Sequence, residues 1–221
     1  MKIVVVGKGG REHALVETLA NSRSKPEMFC HPGSDAIFRT ASKVDESVTD
    51  VDSLVEWMVA EGVDLCVGGE EAWLAKGLAD RARAAGIPTW GPVQASAQLE
   101  ASKEFAKEFM VRHALPTGGY EAVDSRAAAV KAIAGNYPTV LKLDGLAAGK
   151  GVAFCLNAEM VNDFLDEVYD QQRFGEGRLL VEEFLTGPEV SIIAAVSDGE
   201  FQLFVPARDY KRLEDGDGGP N

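Results

Sequence analysis

A chain of 221 residues, 46% hydrophobic and 26% charged, can bury a sizeable core in one large domain or two small ones. Its formal net charge of -13 excludes non-specific attraction to DNA, RNA or anionic lipid, which require a basic surface, but leaves room for a local basic pocket. No apolar run approaches the roughly 18–20 residues of a membrane span, and MKIVVVGKGG reads as a buried strand entering a glycine turn instead of a signal peptide, so a soluble cytoplasmic protein is expected. Cys30, Cys66 and Cys155 are odd in number, widely separated and embedded in apolar stretches. They fit buried reduced thiols better than a disulfide framework or a zinc knuckle.

In chain order, Ile3 to Val6 is a short β-branched run, and Arg11 to Asn21 carries Leu15, Thr18 and Leu19 at helical spacing. The second strand ends at Pro32-Gly33. Val51, Leu54, Val55, Met58 and Val59 predict an amphipathic helix over Thr49 to Ala60, with Thr49 or Asp50 as its cap and Gly62 as its stop. Val63 to Val67 is a buried strand, Ala72 to Ala85 a helix, and Ile87 to Trp90 a strand closed by Gly91-Pro92. This alternation predicts a parallel sheet with helices on its faces.

After a helix over Ser96 to His113, strands follow one another: Thr139 to Asp144, Gly151 to Leu156, Leu179 to Phe184, Val190 to Val196 and Glu200 to Val205, with one helix over Ala158 to Tyr169. That texture predicts an α+β region with antiparallel pairing.

Two glycine loops carry candidate chemistry. In Gly7-Lys8-Gly9-Gly10-Arg11-Glu12 the dinucleotide fingerprint would need glycine where Glu12 stands, so NAD is disfavoured. A helix N-terminus there suits an anion such as a sugar phosphate, and a purely structural turn is the alternative. In LKLDGLAAGKGVAF, Gly145 and Gly149 are too close for a Walker loop, and a strand follows instead of a helix. The loop therefore caps a hairpin.

Alternation places Val140, Lys142 and Asp144 on one face of their strand. Lys142 is either satisfied by an anion or reaches water from an edge strand. Lys150 can follow a transferring phosphoryl group as a point charge. RLLVEEFL, with Glu189 beyond it, is either a nucleotide hinge or a solvated acidic turn.

Together, GKGGREHAL, GGEEAWLAKGL from Gly68, GPVQASAQLEASKEFAKEFM from Gly91, LKLDGLAAGKGV and VEEFLTGPEVS resemble, in order and spacing, the glycinamide ribonucleotide synthetase (phosphoribosylamine–glycine ligase) family of ATP-grasp enzymes, over essentially all of the chain. The resemblance implies an α/β fold. A Rossmann-like pre-ATP-grasp domain over 1–98 would precede an ATP-grasp region with an antiparallel sheet over 99–187, and 188–221 would begin an incomplete C-terminal lobe. It implies ligation of glycine to 5-phosphoribosylamine with ATP going to ADP and phosphate through a glycyl phosphate, in purine biosynthesis. ATP and Mg²⁺ or Mn²⁺ are the expected cofactors. Neither nucleic acid nor membrane is an expected partner, and a monomer is expected.

By the same resemblance Lys103, Lys142 and Lys150 are phosphate lysines, and Lys142 and Lys150 the catalytic ones. Asp144, Gly145, Leu146, Ala147, Ala148, Gly149, Lys150 and Gly151 form the phosphate loop. Glu182, Glu183, Phe184 and Leu185 form the adenine hinge, and Glu189 holds the ribose. Gly9, Gly10, Arg11, Glu12, Pro32, Gly33, Glu71, Asp209, Lys211, Arg212, Asp217 and Asn221 face the substrates. Read by itself, Lys103 adjoins a core-facing stripe of Phe105, Ala106, Phe109 and Met110 and would be solvated. None of His13, His31 and His113 forms a nucleophile-and-base arrangement, as fits catalysis by charge and positioning.

The chain departs from the family where Ser34-Asp35-Ala36 and Gly69-Glu70-Glu71-Ala72-Trp73 stand. The family continues beyond Asn221 for about as much chain again, and the metal ligands are expected there, so a fragment is expected. Another ATP-grasp carboxylate–amine ligase and a non-catalytic nucleotide-binding module are the competing readings.

Overall fold

The computed structural model describes residues 1–146, 151–208 and 214–215. The chain divides into two units, Met1–Glu183 and Phe184–Asn221.

The first unit opens with β1 (Lys2–Gly7), α1 (Gly10–Ala20), β2 (Glu27–Pro32), β3 (Ser42–Lys43), α2 (Val51–Glu61), β4 (Leu65–Gly68), α3 (Glu71–Ala75), α4 (Leu78–Ala84) and β5 (Thr89–Trp90). Its sheet has the order β3-β2-β1-β4-β5, and every pairing is parallel. Both faces are buried, as a parallel sheet requires. Val4, Val6 and Cys66 pack with Leu54, Met58 and Leu78, while Ile3, Val5 and Val67 pack with Val16 and Ile37. Asp50 caps α2 by accepting from the Ser53 N–H at 2.8 Å, and Gly62 ends it at a left-handed φ of 70°.

Next come α5 (Gln94–Ala101), α6 (Lys103–Arg112), β6 (Tyr120–Val123), α7 (Arg126–Ile133), β7 (Thr139–Leu143), β8 (Val152–Cys155), α8 (Ala158–Leu165) and β9 (Leu179–Glu183). The second sheet has the order β6-β9-β7-β8, antiparallel throughout. Leu141, Leu143, Leu179 and Val181 point to one face and form a core with Ala129, Val161, Phe164 and Leu165 from the helices. Register places Val140 opposite Glu182 and Lys142 opposite Leu180, so the other face carries both Lys142 and Glu182.

The unit Phe184–Asn221 contributes β10 (Val190–Ser191), β11 (Ala194–Ser197), β12 (Glu200–Leu203) and β13 (Ala207–Arg208), paired antiparallel as β10-β13 and β11-β12.

Several boundaries differ from the sequence reading. Ala72 to Ala85 is two helices, because Gly77 turns left-handed at φ 88°. Ser96 to His113 breaks at Ser102, which is extended and caps α6 by accepting from the Phe105 N–H at 3.1 Å. Val190 to Val196 is interrupted between β10 and β11, and the turn after α8 is a π-helix over Asp166–Asp170.

Among the described residues no helix is long and apolar enough to cross a membrane. All three cysteines are free and buried. Burial pushes the Cys30 and Cys66 thiols up to about 12 and Cys155 up to about 11, with Glu12 adding to the rise at Cys30. At pH 8, native protein is therefore expected to resist alkylation at all three, and unfolded protein to label at all three. Labelling of the native protein at a free-thiol rate would contradict this.

Candidate functional site

The carboxyl ends of β1, β2 and β4 bring three loops together, the place where open parallel sheets receive ligands. Gly33 donates to Gly7 O at 3.2 Å, and Gly69 and Glu70 both donate to Val6 O, at 2.9 and 3.0 Å. Gly9, Gly10, Arg11, Glu12, Pro32, Gly33 and Glu71 therefore gather at one edge. Arg11 donates to Glu71 across that edge at 2.9 Å. This bond lifts its already high pKa.

Glu12 behaves otherwise. It is 5% exposed, and its carboxylate accepts from the Gly9 N–H at 2.7 Å. A Cβ at Gly7 or Gly69 would approach the Glu12 side chain to 2.5 or 2.6 Å, and Gly7 has φ 140°. Glu12 thus holds the loop in shape from inside, and the glycines are required by its proximity.

The second cluster lies where α6 meets the end of β7. Asp144 accepts from the Ser102 hydroxyl at 2.9 Å and from the N–H groups of Lys103 and Glu104, a cap supplied from 40 residues away along the chain. The cap fixes Lys103, whose Nζ donates to Leu143 O at 2.9 Å and Gly145 O at 2.8 Å. Lys103 is therefore tied to the base of the small-residue loop and is not the solvated lysine that its helical stripe suggested. Burial pulls its pKa below 10.5; Asp144 opposes that pull and Lys142 adds to it.

The loop leaves and re-enters through an antiparallel hairpin, with Lys142 opposite Val152 and the Leu143 N–H donating to Gly151 O at 2.8 Å. Gly145 has φ 99°, a conformation that favours glycine. Leu146 is exposed. Ala147, Ala148, Gly149 and Lys150 lie outside the described residues, as do Asp209, Lys211, Arg212, Asp217 and Asn221.

Lys142 is on an inner strand, which removes the edge-strand reading. Its Nζ donates to Glu182 Oε2 at 2.9 Å. Glu182 is 7% exposed and also pairs with Lys107 at 3.2 Å, so VEE is not a solvated acidic turn at its first carboxylate. That carboxylate is held by two lysines, both through Oε2. Glu183 accepts from the Gly119 N–H at 3.0 Å. Phe184, Leu185 and Glu189 belong to the second unit, where Leu185 and Glu189 are exposed.

Lys107 was missed by sequence reasoning. It is the buried residue of α6, where the stripe Phe105, Ala106, Phe109 and Met110 was expected to be innermost. The available signal was its i, i+4 spacing from Lys103.

A cavity of about 680 Å³ joins the two clusters, lined among others by Arg11, Glu71, Glu100, Lys103, Lys107, Lys142, Gly145 and Glu182. Among the described residues Lys103 uses two of its three N–H donors and Lys142 one, which leaves both with donors for an anion. Among the described residues no group of three or more His, Cys, Asp or Glu side chains gathers to hold a metal ion.

The chain is similar to known proteins along its whole length. Residues 1–100 match the N domain of phosphoribosylglycinamide synthetase, and residues 101–221 match its ATP-grasp (A) domain. The chain is 40% identical over 224 residues to the phosphoribosylamine–glycine ligase of Ralstonia nicotianae and 37% identical over 228 residues to that of Chlorobaculum tepidum. All of this chain aligns in both cases, with 53% and 54% of the relatives. It thus spans about half the length of the curated relatives it matches. The crystal structure of the phosphoribosylamine–glycine ligase of Thermotoga maritima superposes with a TM-score of 0.80 at 30% identity, covering 100% of this chain and 53% of that one. At 18% identity and a TM-score of 0.73, an N5-carboxyaminoimidazole synthetase of Staphylococcus aureus complexed with ADP, covering 96% of this chain and 55% of that one, shares the fold. With residues 1–100 and 101–221 matched by its two domain models, the chain belongs to the phosphoribosylglycinamide synthetase family.

Proposed function

We propose that this chain is the nucleotide- and substrate-gathering half of a phosphoribosylamine–glycine ligase, with its cavity receiving the phosphates of ATP. The observation that carries the reading is the convergence of Lys103 and Lys142, from a helix and a strand, on one cavity with ammonium donors to spare.

The chemistry requires such an arrangement. Attack of a glycine carboxylate on a terminal phosphate brings two anions together, so fixed positive charge and alignment must lower the barrier. Lys142 supplies charge from the sheet, Lys103 from the end of α6, and Lys150 from the loop between β7 and β8. Asp144 acts on Lys103 and the loop base together as a positioning residue. Glu182 holds both lysines through Oε2, and the end of its strand would also offer a base its backbone groups. The edge that holds Gly9 to Glu12, Pro32, Gly33 and Glu71 would take phosphoribosylamine and glycine. Mg²⁺ would neutralise phosphate charge, and the residues for it are not gathered in the described part of the chain.

ADP release by the chain with ATP and Mg²⁺ is the test, with glycine, phosphoribosylamine or both added. Release that needs both, and is lost in Lys142→Ala, supports ligation by this chain. ATP binding without release in any mixture would reduce the function to nucleotide binding.

A pH dependence also follows. The free Lys103 ammonium is held below 10.5, and an adjacent phosphate would raise it again, so binding takes up a proton between the two values. ADP affinity is expected to fall as the pH rises through the lowered Lys103 pKa, and Lys103→Arg to shift that fall to higher pH. Affinity that stays flat up to pH 10.5 would contradict the assignment.

A further inference from the structure

Three charged groups meet behind the cavity, and they are not equivalent. Glu182 Oε2 lies 2.9 Å from Lys142 Nζ and 3.2 Å from Lys107 Nζ. The Lys107 side chain is 9% exposed, and its ammonium also donates to Thr117 Oγ1 and Gly118 O, each at 3.0 Å, with the Tyr120 ring centroid at 5.6 Å. Thr117 and Gly118 take two of its three donors, and the ammonium is ion-paired with Glu182. Lys107 lines the cavity, but its side chain is buried and turned to these protein partners. The Lys142 side chain is 30% exposed and, among the described residues, donates to Glu182 alone.

A buried carboxylate must stay paired, since an uncompensated buried charge costs far more than a pair contributes. If Lys142 were the sole partner of Glu182, the pair would be neutral, and moving the ammonium toward an anion would strand the carboxylate. With Lys107 as a second, immobile partner, Glu182 remains compensated while Lys142 turns away. The two ammonium groups and one carboxylate also leave net positive charge facing the cavity.

We propose that Lys107 is a positioning residue for phosphate binding: it neutralises Glu182 from inside the protein and so releases Lys142 to the ligand. The proposal rests on the cavity being a nucleotide site. It assigns Lys107 no contact with the nucleotide.

Calorimetric titration of the full chain with ADP and with inorganic tripolyphosphate tests it. Wild type would be compared with Lys107→Met, Lys107→Gln and the double variant Lys107→Met/Glu182→Gln, each shown to be folded by thermal unfolding. Both single variants are expected to weaken ADP and tripolyphosphate by about tenfold, the scale of one lost charge interaction. The double variant is expected to recover most of that loss, because with no carboxylate left to compensate Lys142 is free again. A merely structural role would be rescued in the unfolding midpoint and would leave the affinity of the folded protein unmoved, so the two readouts separate it from charge release.

Unchanged affinity in the single variants, or no recovery in the double variant, would overturn the proposal and leave nucleotide binding standing. Wild type that binds tripolyphosphate but not ADP, with the same dependence on Lys107, would overturn the nucleotide reading and support the charge release. Binding of neither would overturn both. If Lys107→Met does not fold, Lys107→Gln and the double variant carry the comparison.

Discussion

Glu182→Ala is expected to lower the unfolding free energy of the Met1–Glu183 unit by about 3–5 kcal/mol, the cost of breaking a buried ion pair by removing one partner. The loss is larger than the hydrogen bonds alone would give. Lys107 would keep Thr117 and Gly118 but remain buried as a charge without its carboxylate. Lys142, half-exposed, could turn to water and would contribute less. Lys107→Met/Glu182→Gln, which removes both buried charges, is expected to cost far less than Glu182→Ala. Urea unfolding followed by far-UV circular dichroism reads these differences. A cost below about 1 kcal/mol for Glu182→Ala, the range of exposed pairs, would contradict the burial of this charge cluster.

Asp144→Ala is expected to cost about 2–3 kcal/mol, because one half-buried carboxylate holds a hydroxyl and two N–H groups at the start of α6. Its functional effect is separate from its effect on stability. Losing the cap frees Lys103 from the loop base, so ADP affinity is expected to fall by tenfold or more even where the protein is fully folded. Asp144→Asn keeps an acceptor without the charge and should lie between the two. Equal stability of Asp144→Ala and wild type would show that the cap does not hold α6.

Much of this was legible along the chain because it is written at short range. Alternating β-branched strands and amphipathic helices to Trp90 predict the parallel sheet, and Gly7, Gly62 and Gly145 mark turns that the backbone angles require. The hairpin reading of LKLDGLAAGKGVAF follows from the strand on either side of the loop, and β7 and β8 pair that way.

What stayed hidden depends on residues far apart in sequence. The break at Ser102 has only a serine to announce it locally. The force behind it is Asp144, which arrives from the next sheet to cap α6. Lys107 went unread, because its partner Glu182 lies on β9 and reaches it only when that strand pairs with β6 and β7. The short β6 and α7, Tyr120–Val123 and Arg126–Ile133, carry too weak a periodicity to be read alone, and Ser125 is the visible start signal, accepting from the Ala128 N–H at 3.3 Å. Lys142 could be placed on the correct face from alternation, whereas its inner position in the sheet could not.

Calorimetric titration of the 221-residue chain with ADP, beside Lys103→Ala and Lys142→Ala, probes the cavity most directly. Binding to wild type, with at least tenfold weaker binding in each lysine variant and unchanged folding, is the predicted result. Wild type that binds no ADP, or variants that bind as well as wild type, would contradict the assignment of this cavity to nucleotide phosphates.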